Sequence, residues 1–299
     1  MTISTNLFYS QAAQQMRDLQ NNMSRIQTQV SSGQALTKPS DDPTKLNAIV
    51  RLTAVLDRQN GYTKTLGLVG DRLKAEETSV RNVSTTLGRI KTLALQATNA
   101  ATSPADRANL AIEMQTLKGG ILSSMAARDV EGNYLFSGTR AGAQPFGNSS
   151  DTYTGDKAAM RVQLSDQDSM ALNRPGADVF SGITRDGARK SFMTVITDAI
   201  DAVSTSNGVN MTRSLSEIDA ISQNVSVAIT RNGADQNKVT AQQTLVADTT
   251  LQLQATLNNL QNTDMTQAIT QLQQQVTQLS AAQSSFAKIS GLNLFNFLK

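Results

Sequence analysis

"YSQAAQQMRDLQNNMSRIQTQV" (residues 9–30) decides the fold class. Its apolar residues Tyr9, Ala12, Met16, Leu19, Met23, Ile26 and Val30 are separated by alternating threes and fours. That rhythm sets them on one face of an α-helix, in the register that lets a helix pack lengthwise against another. The positions between them carry mostly Gln, Asn, Ser and Thr. Exposed coiled coils normally place Glu and Lys there. An apolar seam with neutral flanks can pack among many copies of itself without charge repulsion.

Working outward, "SSGQALTKPSDDP" (31–43) breaks the rhythm with Gly33 and Pro39. A second helix should begin at its end, with Asp42 as N-cap and Pro43 at the first helical position, where a missing N–H costs nothing. Asp41 and Asp42 together resemble a paired-carboxylate site, and Lys38 near Ser40 a Ser–Lys pair. No other catalytic group accompanies them, so they read as turn and cap. A long helical stretch follows. Leu66, Val69, Leu73, Val80, Val83, Leu87, Ile90 and Ala97 continue one heptad frame, with Glu76 and Ala94 in its gaps. "NGY" (60–62) predicts a register change or kink. "SPADRANL" (103–110) is a fresh helix start, and Gly119-Gly120 within that helix predicts a kink or a close backbone approach.

From about residue 131 the texture turns rich in Gly, Pro, Asn and Ser. Met160, Val162 and Leu164 alternate with polar residues, which predicts a strand. "NRPGAD" (173–178) predicts a turn. Helices then resume through Phe192, Val195, Ala199 and Val203, and again through Leu215, Ile218, Val225, Ile229, Val239 and Val246. "NTDMTQAI" (262–269) starts the last helix with Asp264 as cap. That helix carries Ile269, Leu272, Val276, Leu279, Phe286 and Ile289 on one predicted face. It ends in "NLFNFLK" (293–299), whose Leu294, Phe295, Phe297 and Leu298 predict docking on a partner. From 265 onward there is no acid, and only Lys288 and Lys299 are basic.

The predicted architecture is therefore mainly α. Long heptad helices at both ends form a bundle or coiled coil, and a small β-rich domain is inserted in the middle. The predicted division is 1–42 with 264–299 as a terminal assembly region, 43–139 with 189–263 as a long-helix bundle, and 140–188 as an outer insertion. Excising that insertion should leave the helices folded.

Composition removes whole classes of function. The 299 residues contain no Cys and no His. Disulfides, thiolate chemistry, the commonest general base and the commonest metal ligand are thus excluded. Charged residues make up 17 % and aromatics 4 %, with no Trp. Lys and Arg are scattered rather than striped, which argues against nucleic acid. No apolar run is long enough to span a bilayer, and the start "MTISTNLFYS" lacks the pattern of a cleaved signal. No cofactor, metal or catalytic residue is expected.

Three stretches carry a resemblance. "SSGQALTKPSDDP" (31–43), "GNYLFSGTR" (132–140) followed by "YTGD" (153–156), and "FAKISGLNLFNFLK" (286–299) are similar to the flagellin superfamily, on the branch that joins flagellar hook to filament. The order and spacing agree along nearly the whole chain. The resemblance implies a non-enzymatic, self-assembling ring exported without a cleaved signal to the extracellular flagellum. It implies contacts with a neighbouring hook-associated junction protein and with flagellin, and a cytosolic export chaperone on the C-terminal helices. It also implies that the two terminal helices pair. A filament flagellin and a soluble signalling coiled coil are the alternatives. The short insertion and the "KPSDDP" turn count against the first, and the β insertion against the second.

Overall fold

The computed structural model describes residues 2–147 and 152–295. In chain order the elements are α1 (Thr2–Ser32), α2 (Pro43–Ala97), α3 (Pro104–Met125), β1 (Arg161–Gln163), β2 (Ser169–Ala171), α4 (Gly176–Val179), β3 (Ile183–Arg185), β4 (Ala188–Lys190), α5 (Phe192–Ser204), α6 (Gly208–Gln261) and α7 (Met265–Phe295). The protein is mainly helical, with a small β part in the middle. It divides into two compact units, one drawn from residues 1–58 and 249–299, the other from 59–248.

The 59–248 unit has a closed core. The heptad frame of α2 faces inward, with Leu66, Val83, Leu87, Ile90 and Ala97 fully buried. Against it pack Met114 and Ile121 of α3, Val195, Ile196 and Ala199 of α5, and Ile218, Ile221 and Val225 of α6. Helix ends are fixed locally. Ser103 caps α3 by accepting from the Asp106 N–H, with Pro104 behind it, and Ser191 caps α5 by accepting from the Thr194 N–H. Both glycine sites lie in helices that continue through them, and no neighbouring backbone approaches closely. Gly61 lies within the unbroken α2 and Gly119-Gly120 within the unbroken α3. A Cβ at any of the three would meet nothing within 4 Å. They are exposed helix positions whose backbone bonds are held by the packing of the opposite face.

The middle segment forms two hairpins, with Val162 opposite Met170 and Thr184 opposite Arg189. They have no core of their own. Leu164 and Met170 cluster with Leu66, Val69 and Leu73 of α2 and with Val239 and Val246 of α6. Phe180 stands 5.0 Å from Phe136, 5.8 Å from Phe192 and 5.9 Å from Phe146, measured between ring centres. All four rings belong to the main helical core. Composition predicts a removable insertion, but its apolar residues finish the burial of the helices. Removing it would open both clusters to water.

Two of the motifs singled out above meet here. Gly138 of "GNYLFSGTR" has φ 72°, and a Cβ on it would lie 2.3 Å from the Asp156 carbonyl oxygen of "YTGD". Only glycine fits that approach. The Asp156 carboxylate accepts from the Thr139 N–H at 2.8 Å and the Thr139 hydroxyl at 2.5 Å. The Tyr153 hydroxyl faces the carbonyls of Phe136 and Asp156 at 2.9 and 2.8 Å.

Candidate assembly surface

The unit of residues 1–58 and 249–299 is built around α1 and α7. At one end a laced turn joins them. Gly33 takes φ 70° and its N–H returns to the Gln29 carbonyl at 2.9 Å, which closes α1 with a left-handed residue. The Gln29 amide donates to the Ala35 carbonyl at 2.6 Å. Ala35 N–H then reaches the Gln261 carbonyl at 2.7 Å, and Thr263 N–H reaches the Gly33 carbonyl at 2.9 Å. At the other end the rings of Tyr9 and Phe286 meet edge to face, 5.6 Å apart. With both ends pinned, α1 and α7 run antiparallel in one register.

The turn after α1 is tied by Asp41. Its carboxylate accepts from the Thr37 hydroxyl, the Thr37 N–H and the Lys38 N–H at 2.9, 3.1 and 2.8 Å. These bonds, the Thr37 hydroxyl foremost, hold the Asp41 carboxyl below the usual carboxylate range. Pro39 lies exposed in that turn. Asp42 accepts from the Lys45 N–H at 2.9 Å as α2 starts at Pro43. Asp264 accepts from the Gln267 N–H at 3.0 Å as α7 starts.

The seam of the pair is strict on both helices. On α1, Met16, Leu19, Met23 and Val30 are half-buried, and Ile26 is buried. On α7 the inward residues are Ala268, Leu272, Gln275, Leu279, Ala282 and Phe286, again spaced by fours and threes. Among the described residues of this unit, Ile26, Leu257 and Ala268 are the buried apolar ones. Beside the seam a second apolar row stays in water: Met265, Ile269, Val276 and Ile289 are 41, 49, 47 and 39 % exposed. An open groove of about 630 Å³ lies along the pair, lined in part by Ala12, Met16, Leu19, Ala282, Phe286 and Ile289. Among the described residues no group of three or more His, Cys, Asp or Glu could hold a metal ion, and no helix is long and apolar enough to cross a membrane.

A family model described as the bacterial flagellin N-terminal helical region matches residues 3–141. Flagellar hook-associated protein 3 of Salmonella typhimurium is 25% identical over 313 residues, covering 99% of this chain and 99% of its own. Along nearly its whole length the chain is thus similar to flagellar hook-associated protein 3. Solved structures agree in fold. A putative flagellar hook-associated protein from Vibrio parahaemolyticus matches with TM-score 0.68 and 22% identity, over 74% of this chain and 100% of that one. The flagellar junction protein FlgL from Legionella pneumophila matches with TM-score 0.60 and 15% identity, over 72% and 100%.

The structure sorts the terminal residues into two groups. Leu272, Leu279 and Phe286 take part in the α1–α7 seam, whereas Ile269, Val276 and Ile289, expected on the same face, lie beside it. Ala268, Gln275 and Ala282 occupy the seam instead and were not foreseen. Their signal was present in the sequence: counting back from Phe286 by fours and threes reaches 282, 279, 275, 272 and 268. Polarity hid it, because Val276 is more apolar than Gln275. Phe297 and Leu298 lie outside the described residues, as do the side chains of Leu294 and Phe295.

Proposed function

We propose that this chain is the structural adaptor joining the flagellar hook to the filament, acting as a self-assembled ring. The observation that carries this reading is the end-to-end match with flagellar hook-associated protein 3, which spans 99% of both chains. The α1–α7 pair supports it. A two-helix unit that leaves Ile269, Val276 and Ile289 half in water has apolar surface available for neighbouring subunits. The acid-free stretch from 265 onward lets such neighbours approach closely.

On this reading, residues 1–42 and 264–299 form the assembly region, 43–139 with 189–263 the helical body, and 140–188 its outer part. The partners are further copies of the chain, a neighbouring hook-associated junction protein and flagellin. An export chaperone covers the C-terminal helices before assembly. The protein works outside the cell, and its role is mechanical rather than catalytic. A strain lacking the gene tests this. Hooks should stay bare and filament protein should accumulate unassembled in the medium, with both defects reversed by the restored chain. Normal filaments on hooks in that strain would overturn the reading.

A further inference from the structure

Glu76 sits on α2 inside the 59–248 unit and is 2 % exposed. Two arginines are near it, and each is already paired. Arg72, on the same helix, brings its Nε to 3.7 Å from Glu76, but its Nη1 bonds Asp129 at 2.8 Å. Its Nη2 donates to the carbonyls of Tyr134 and Leu135 at 3.4 and 3.1 Å. Arg174 pairs with Asp235 of α6 and donates to the Ala228 carbonyl at 3.3 Å. The Arg174 backbone N–H and the Asn232 amide face the Glu76 carboxyl. Asn232 also donates to the Leu73 carbonyl at 3.1 Å and accepts from Gln236 at 2.7 Å. Of the remaining charges, Glu77 pairs with Arg81 at 2.5 Å, and the exposed Arg231 repels the Arg174 charge.

The charges then balance without Glu76. Arg72 is matched by Asp129 and Arg174 by Asp235, so an ionised Glu76 is a surplus buried anion. Its Oε1 and the Arg72 Nε are both buried without a hydrogen-bond partner. The same cluster holds two irregular segments onto α2 and α6: residues 127–136 through Asp129, Tyr134 and Leu135, and residues 173–175 through Arg174.

We propose that Glu76 is a proton-operated clasp. With its proton on, the cluster is neutral and both segments are held against the helices. With its proton off, an unbalanced anion lies in the core and that attachment loosens. Burial pushes the Glu76 carboxyl up to about 7, the attraction of Arg72 and Arg174 offsetting part of the effect. The chain has no His and no Cys, so no other side chain ordinarily changes charge between pH 5 and 8. Because the folded value lies above the unfolded one, Glu76 contributes stability that is complete below about pH 4.5 and is lost as pH rises through about 7.

Urea unfolding of the full chain and of Glu76→Gln from pH 5 to 8 tests the clasp. The wild-type unfolding constant should rise on the order of a hundredfold relative to the variant across that range. Once base-catalysed intrinsic exchange is divided out, amide protection in peptides from 127–136 and 173–175 should fall at pH 8 in the wild type only. Parallel pH profiles for the two proteins would overturn the proposal, as would exchange differences spread evenly over the unit. If the variant does not fold, the wild type decides alone. A carboxyl carbon-13 titration should show one Glu titrating near neutrality, and every Glu titrating below about pH 5.5 refutes the clasp.

Discussion

Replacing Ile269, Val276 and Ile289 together by Ser should separate assembly from folding. In the single chain these residues are 49, 47 and 39 % exposed, so nearly half of each side chain is still free to be buried by a neighbour. Full burial of such a side chain stabilises by roughly 1.5–3 kcal/mol, which leaves about 1 kcal/mol per residue for the contact. The three together amount to about 3 kcal/mol, or on the order of a hundredfold in association at each subunit contact. The α1–α7 pair itself should lose far less, because its seam runs through Ala268, Leu272, Leu279, Ala282 and Phe286. The assay has two arms: thermal melting of helical circular dichroism on the purified chain, and swimming of a deletion strain carrying the variant. The melt should shift little while swimming is lost. Changing Leu272 and Leu279 to Ser should do the reverse in the first arm and lower the melt. Full swimming by the triple variant would refute the reasoning, and so would a melt as low as that of the seam double variant.

Other outcomes follow from the core and the turns. Arg185 bonds Glu217 at 2.7 and 2.5 Å and Asp198 at 2.5 Å, and its side chain is only 12% exposed. Arg185→Ala removes the Asp198 bond and leaves Glu217 the looser Arg213 pair at 3.7 Å, so urea titration should show a loss of about 3 kcal/mol. At Gly33, φ 70° suits glycine, and no neighbour lies within 4 Å of an added Cβ. Gly33→Val should therefore cost about 1–2 kcal/mol through backbone strain alone, and Gly33→Asn clearly less, as read by the same titration.

Periodicity made most of the helices legible. Tyr9 to Val30 and Leu66 to Ala97 announced their buried faces because large apolar residues fell at heptad spacing and nothing competed with them. Caps were legible for the same local reason: Asp42, Ser103 and Asp264 each bond an N–H three residues on. On α7 two apolar rows overlap, and apolarity alone chose Val276 over Gln275. Glu76 was visible as an acid in a heptad gap, but its cluster was not, since Arg72 meets Asp129 and Asn232 meets Leu73 across 57 and 159 residues. Arg185, Asp198 and Glu217 were invisible for the same reason. The middle segment misled through composition: its Gly, Pro and Ser describe how the chain turns, while a few aromatics decide where it packs.

The most direct test of the central claim is where the protein sits. Isolated flagella can be labelled with gold-conjugated antibody against this chain and viewed by electron microscopy. An adaptor between hook and filament predicts one narrow band of label at that boundary, present on every intact flagellum and missing from the deletion strain. Label distributed along the filament would identify a filament subunit and contradict the account.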